Sequence, residues 1–207
     1  MTETVTRWWW IRHAPVTTDN GCFYGQKDMP ADTSNSHVYG PLAQALPNDA
    51  VWVASHLQRT HQTAAAIGAA GYSLPAIGHH EDLAEQHFGD CQGVLRAPVY
   101  DQYGGMHGFW STMIDEAPAN GESFVDLQRR VDRAVGLLTS AHRGSNIVAV
   151  AHGGTIRAAI ASALALPPQQ ALAFTIANCS LTQLDHIEKA DGTVRWTVNQ
   201  LNGLGVQ

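Results

Sequence analysis

The chain is predicted to be an α/β protein, a three-layer α/β/α sandwich around a mostly parallel central sheet. Two observations predict this. Short, bounded apolar runs occur at Arg7-Trp8-Trp9-Trp10-Ile11, Val51-Trp52-Val53-Ala54-Ser55 and Ile147-Val148-Ala149-Val150-Ala151, the length and composition of buried strands. Longer stretches with helical spacing lie between and after them, and strands alternating with helices imply a sheet covered on both faces. The length of 207 residues suits one unit, residues 1–207, with a sizeable core. There is no linker, repeat or low-complexity tract.

Residues 5–12 read as the first strand. Residues 13–40 are polar and rich in Gly, Pro, Asp and Asn, so they are expected to form one long loop. Residues 57–70 are dense in alanine and closed by Gly71, the pattern of a capped helix. Residues 76–80 are expected to be a short strand. Residues 90–120 carry Pro98, Gly104-Gly105, Gly108 and Pro118 among aromatics, and read as an insertion of short helices covering a site. Ser123-Phe124-Val125-Asp126 resembles a capping box with Asp at its last position. Phe124, Leu127, Val131, Val135 and Leu138 then fall near helical spacing and should face the core. A strand over Asn146–Ala151 and a helix over Gly154–Leu164 follow. Residues 172–177, 180–187 and 193–200 read as closing strands, the last two joined through the hairpin signal Asp191-Gly192.

Two of these strands end in histidine. Arg12-His13 closes the first and His152 closes the strand at 146–151, while the run at 51–55 leads within four residues to Arg59. Ligands of open α/β sheets sit at the carboxyl ends of the strands. Two imidazoles and two guanidiniums on one rim make a pocket for a doubly charged anion, and a phosphoryl group fits best. Arginine offers a planar, permanently charged fork for phosphate oxygens. Gly153-Gly154 after His152 would let backbone N–H groups approach at a helix N-terminus.

Four ordered segments carry a resemblance: Ile11-Arg12-His13-Ala14, Ser55-His56-Leu57-Gln58-Arg59-Thr60-His61-Gln62-Thr63-Ala64, Leu83-Ala84-Glu85-Gln86-His87-Phe88-Gly89, and Ala151-His152-Gly153-Gly154. Together they resemble the motifs of the histidine phosphatase superfamily, which includes the cofactor-dependent phosphoglycerate mutases. The resemblance implies a phosphoglycerate mutase-like fold and a phosphatase acting through a phosphohistidine intermediate. It implies that His13 is the nucleophile, that Arg12, Arg59 and His152 hold the charge, and that Glu85 is the general acid and base, chosen over Glu81 and Asp82. A His152 either protonated or donating a hydrogen bond would stabilise the phosphoryl oxygens. Ala14 stands where the family usually has Gly, and Cys91-Gln92-Gly93 where it commonly continues Trp-Glu-Gly.

Gly21-Cys22-Phe23-Tyr24-Gly25-Gln26-Lys27-Asp28-Met29-Pro30 is similar to the loop of the α-ribazole phosphatase branch, which implies α-ribazole phosphate as substrate. Tyr24, Gly25 and Gln26 join Arg12, Arg59 and Gly153 as substrate-binding candidates. The plainer reading of the loop is a hydrophobic plug. A phosphomutase and a non-catalytic phosphate-binding module are the competing functions. Arg157, one turn into the helix after His152, is within reach of the pocket, but a structural ion pair is the expected role.

The formal charge of −6 argues against broad nucleic-acid or anionic-membrane binding. The expected partner is a small phosphorylated substrate, with the oligomeric state left open and a homodimer the assembly to test. Eleven histidines invite a metal reading, but none of His56, His61, His79, His80 or His87 shows a ligand spacing, so neither a metal nor a cofactor is expected. Cys22, Cys91 and Cys179 are sparse and odd in number, and no secretory signal or membrane-length apolar run is visible. A cytoplasmic location is the expectation.

Overall fold

A computed structural model describes residues 3–204. Its centre is a six-stranded sheet of order β3-β2-β4-β1-β5-β6, built from β1 (Thr4–Arg12), β2 (Val51–Ala54), β3 (Ile77–His79), β4 (Asn146–Ala151), β5 (Leu181–Glu188) and β6 (Val194–Gly203). The pairs β1/β4, β2/β4 and β2/β3 are parallel; β1/β5 and β5/β6 are antiparallel. The mixed character arises where the hairpin through Gly192, in the left-handed region at φ +82°, adds two strands to the edge of the parallel part.

The tryptophan run of β1 makes sense once both faces of the sheet are covered. Side chains alternate across a strand, so Trp8 and Trp10 face one layer and Trp9 and Ile11 the other. The first layer is α5 (Phe124–Ala141) and α6 (Gly153–Ala163), which bury Leu127, Val131, Ile156 and Ile160 against Trp8, Trp10, Ile147 and Ala149. The second is α1 (Tyr39–Ala45) and α2 (Gln58–Ala69), which pack Leu42, Ala64 and Ile67 on Ile11, Trp52, Val148 and Val150. Trp8 and Trp10 stack with centroids 4.9 Å apart. The helix α5 opens on the expected capping box, Ser123 Oγ accepting from the Asp126 N–H at 3.1 Å while the Asp126 carboxylate accepts from the Ser123 N–H at 3.2 Å.

The segment 90–120 does carry two short helices, α3 (Arg96–Gln102) and α4 (Met106–Thr112). Phe109 and Val99 join Phe23, Phe88 and Met113 in a separate aromatic cluster. Phe23 thus fastens the 21–30 loop to these helices.

Two expectations fail. Residues 172–177 are not a strand. The short helix α7 (Pro168–Ala171) precedes them, and the carbonyls of Phe174 and Ile176 accept from Arg157 and Arg12 instead of from a neighbouring strand. Their apolar side chains pack on the core without joining the sheet. The loop expected over 13–40 also ends early, because a short 3-10 turn at Ser36–Val38 leads into α1, which buries Tyr39 and Leu42.

Candidate active site

The parallel register brings the chemistry together. Arg12 pairs with Ala151 and Ala54 with Val150, so β1, β4 and β2 deliver His13, His152 and Ser55 to one edge. The ladder continues one step past β1, with the His13 N–H donating to the Ala151 carbonyl at 3.0 Å. On the other side Asn178 Nδ2 donates to the His13 carbonyl at 2.7 Å. His13 is therefore held from both neighbouring segments.

Both imidazoles are fully buried, with ring centroids 5.1 Å apart. His13 Nδ1 lies 2.6 Å from the Ala14 carbonyl oxygen. A carbonyl only accepts, so Nδ1 carries the proton and Nε2 keeps its lone pair. Nε2 has no hydrogen-bond partner among the described residues. The Ala14 N–H in turn donates to Thr63 Oγ1 of α2 at 2.8 Å, so the turn that fixes the tautomer is itself anchored. Burial holds the His13 pKa well below its ordinary 6.5, and the positive charges of Arg59 and Arg12 push it the same way.

His152 is fixed differently. Its Nδ1 accepts from Arg59 Nε at 3.2 Å, so Nε2 carries the proton and donates to Ser55 Oγ at 2.7 Å. Burial first, then Arg59, holds its pKa well below 6.5. Of the two forms expected for His152, this hydrogen-bonding pattern fits the neutral, N–H-donating one. The neutral ring engages both nitrogens within the protein, and its N–H reaches a ligand only by leaving Ser55.

Arg59 is buried at the start of α2. It donates to the Gly25 carbonyl at 2.6 Å and the Lys27 carbonyl at 2.9 Å, and lies over the Tyr24 ring at 5.1 Å. Arg12 donates from Nη1 to the Ile176 carbonyl at 2.5 Å and leaves its buried Nε without a partner. Glu85 is half-buried, and its Oε1 accepts the N–H groups of Gln86 and Gly154, each at 3.0 Å. The N-terminus of α6 thus receives the Glu85 carboxylate. Gly154 is needed for that approach, because a Cβ there would come 2.4 Å from Glu85 Oε1.

A cavity of about 160 Å³ opens above this edge, lined by Arg12, Tyr24, Glu85, Trp110, Gly153 and Arg157 among others. A smaller one of about 50 Å³ shares Glu85, Trp110 and Arg157 with it. Neither imidazole lines them, so a phosphoryl group reaches His13 Nε2 only after a side chain moves. Two larger grooves, of about 610 and 680 Å³, lie elsewhere; the second holds Glu81 and Asp82, which separates both from Glu85.

Of the expected substrate-binding residues, Arg12, Tyr24, Gly25 and Gly153 line the cavity. Gln26 does not. Its side chain donates to the Glu85 carbonyl at 2.9 Å and supports the acid from below. Sequence reasoning missed Ser55 as the partner of His152, and it missed Arg130. That guanidinium, from α5, pairs with Glu122 and donates to the carbonyls of Asp82, Ala84 and Glu85 at 2.8 Å each. Nothing in the local sequence distinguishes Arg130 from the neighbouring arginines of α5. Arg157 forms no ion pair among the described residues, contrary to expectation; it donates to the Phe174 carbonyl at 2.8 Å and reaches the cavity. Among the described residues no three His, Cys, Asp or Glu side chains are grouped to hold a metal, and no helix is long and apolar enough to cross a membrane.

A sheet that presents a lone-pair imidazole, two arginines and a cavity-facing carboxylate at one edge defines a class of phosphoryl-binding proteins. Residues 8–199 match the histidine phosphatase superfamily (branch 1), and the chain belongs to that family. A 2,3-bisphosphoglycerate-dependent phosphoglycerate mutase of Gloeobacter violaceus is 30% identical over 179 residues, 83% of this chain and 80% of that protein. The glucosyl-3-phosphoglycerate phosphatase of Mycolicibacterium vanbaalenii is 32% identical over 164 residues, 72% of each chain. A solved mycobacterial glucosyl-3-phosphoglycerate phosphatase superposes with a TM-score of 0.80 at 28% identity, over 95% of this chain and 98% of that one. The α-ribazole phosphatase of Shigella flexneri superposes with a TM-score of 0.77 over 97% and 98% of the two chains, but at 22% identity it speaks for the fold alone.

Proposed function

We propose that the chain is a phosphatase that hydrolyses a small phosphorylated metabolite through a phosphohistidine at His13. The observation that carries this is the tautomer of His13, with its proton on Nδ1 and its lone pair on Nε2. Nε2 attacks phosphorus and the P–O bond to the leaving alcohol breaks. Arg12 and Arg59 balance the charge of the equatorial oxygens, and neutral His152 contributes its N–H once it exchanges Ser55 for a phosphoryl oxygen. Glu85 gives its proton to the leaving oxygen. Water then attacks the phosphohistidine and passes a proton to Glu85, releasing inorganic phosphate and restoring both groups.

Residues 1–207 act as one unit in this reading, with residues 90–120 as the cover of the site. The phosphatase relatives support hydrolysis; the mutase relative supports phosphoryl return to a product, which stimulation by a bisphosphate would reveal. α-Ribazole phosphate remains one substrate to screen, resting on residues 21–30. The free state of Cys22, Cys91 and Cys179 agrees with a cytoplasmic location.

Rapid quench with an aryl phosphate, followed by mass spectrometry, should find an acid-labile phosphate on His13. His13→Ala should lose that adduct and turnover. Full activity in His13→Ala would refute the mechanism.

A further inference from the structure

The segment that carries Glu85 has little regular structure of its own. A 3-10 turn at Glu81–Leu83 precedes it, and residues 85–88 belong to neither helix nor strand. Main-chain groups in such a segment need partners from elsewhere. One side chain supplies most of the donors. Arg130, on α5, donates from Nη1 to the carbonyls of Asp82 and Ala84 and from Nη2 to that of Glu85, each at 2.8 Å. Its remaining N–H groups meet one carboxylate, with Nε 3.0 Å from Glu122 Oε2 and Nη2 2.6 Å from Glu122 Oε1. A guanidinium carries five N–H donors, and here every one of them has an acceptor.

Glu122 grips the same segment from its other end. Its Oε1 also accepts the His87 N–H at 2.8 Å. Its own N–H donates to the His87 carbonyl at 2.9 Å, and its carbonyl accepts from Gln86 Nε2 at 3.0 Å. The pair thus reaches the chain on both sides of the acid. The two side chains are only 11% and 17% exposed, and a bidentate pair of this kind fixes orientation as well as charge. Arg130 lines neither of the cavities beside Glu85, and its donors are all taken within the protein, so it is no ligand for the substrate. What it does reach is the main chain from which the Glu85 carboxylate projects to the Gly154 N–H.

We propose that Arg130 and Glu122 are positioning residues for the general acid: together they set the main chain at Glu85 so that its carboxylate rests at the α6 N-terminus beside the leaving oxygen. This rests on the phosphatase reading with Glu85 as the acid. A proton donor must stand within hydrogen-bond distance of the oxygen it protonates. The Glu85 carboxylate inherits any shift of its own backbone. Without the Arg130 fork, the carbonyls of Ala84 and Glu85 would keep second donors in Thr155 Oγ1 at 2.8 Å and Gln26 Nε2 at 2.9 Å. The segment would therefore stay near its place and lose only its fine setting. Small displacement with a large kinetic effect separates positioning from folding.

The test measures kcat/KM on ethyl phosphate, whose alkoxide needs a proton, and on 4-nitrophenyl phosphate, whose phenolate leaves without one, in Arg130→Lys and Glu122→Gln. Lysine keeps the charge and loses the fork; glutamine keeps an oxygen for the His87 N–H and loses the charge. Each variant should lose about 10- to 100-fold on ethyl phosphate and less than about threefold on the nitrophenyl ester. In a Glu85→Gln background the same changes should cost nothing further on ethyl phosphate, because the group they position is gone. Equal losses on both esters in folded protein, or a loss on ethyl phosphate that persists undiminished in Glu85→Gln, would overturn the proposal, since the pair would then serve the fold alone. Unchanged kinetics in either folded variant would overturn it too. Should Arg130→Lys fail to fold, Glu122→Gln decides alone. No turnover of 4-nitrophenyl phosphate by the wild type would remove the phosphatase reading itself. Wild-type turnover with no ester contrast in Glu85→Gln would remove the acid, and this proposal falls with either.

Discussion

Gly154→Ala isolates the position of Glu85 from its chemistry. The new Cβ would sit 2.4 Å from Glu85 Oε1 and 3.1 Å from Leu127 Cδ2. The first distance is too short to persist, and the atom that must yield is the tip of a flexible side chain. The fold should therefore tolerate the change. The Leu127 contact asks that side chain to shift only slightly. The carboxylate, however, has to leave the Gly154 N–H that positions it. A misplacement of this size costs about 10²-fold when a group must be in place for the reaction. Protonating an alkoxide needs the acid, whereas a nitrophenolate leaves without it. Gly154→Ala should thus lower kcat/KM about 100-fold on an alkyl phosphate and less than about 10-fold on 4-nitrophenyl phosphate. The thermal midpoint should stay close to that of wild type. Steady-state kinetics on both esters, with calorimetry on the same samples, give the answer. An equal loss on the two esters, or unchanged kinetics at full stability, would refute the placement of the acid at the α6 N-terminus.

Glu85→Gln should show the same contrast between ester types more strongly, by about 10²- to 10⁴-fold on the alkyl ester, while Glu81→Gln and Asp82→Asn show none; an Asp82-specific contrast would move the acid there. Stability should fall as pH drops below about 6.5, since unfolding lets His13 and His152 bind protons that the fold excludes, with a slope of up to about 1.4 kcal/mol per pH unit for each histidine. Above 6.5 these two groups should contribute no slope, and His152→Gln should flatten the acid limb; urea midpoints from pH 5 to 8 check both. Arg130→Met should cost about 3 kcal/mol, because it leaves Glu122 without its counter-charge and takes one donor from each of three backbone carbonyls, and denaturant unfolding measures it. Chelator treatment should leave phosphatase activity intact; a loss restored by a divalent ion would overturn the mechanism.

Much of the fold was legible because the sheet interior imposes a period of two on short apolar runs. Trp8, Trp9, Trp10 and Ile11 read as one buried strand, and the structure divides them between two helix layers. The same signal misled at 172–177. Leu172, Phe174 and Ile176 alternate like a strand, but periodicity records where side chains go and not where carbonyls go. Here the Phe174 and Ile176 carbonyls are taken by Arg157 and Arg12. The helix α1 has only seven residues and carries Gly40 and Pro41, so it shows little helical pattern in the sequence, although a proline is tolerated in a first helical turn. Arg157 was misjudged for a related reason. An acid able to pair with it was expected, but whether one comes within reach is a question of three-dimensional distance.

The convergence of His13, His152, Arg12 and Arg59 was readable because strand ends in a parallel sheet share an edge. Their protonation was not, since it depends on acceptors remote in sequence or in backbone geometry, Ser55 for one ring and the Ala14 carbonyl for the other. The loop at 21–30 shows the same division. Gln92 Oε1 accepts from the Gln26 N–H at 2.7 Å, and the Gly93 N–H donates to the Phe23 carbonyl at 2.7 Å. The departure at Cys91-Gln92-Gly93 and the loop are therefore one packed unit, joined through Phe23. Only part of the loop faces the cavity, while Gln26 supports the Glu85 backbone. Likeness within residues 21–30 reports largely on how the loop is fastened and how the acid is held. Trp110, Arg96 and Arg157, which also line the cavity, come from three different helices and form no motif in the sequence.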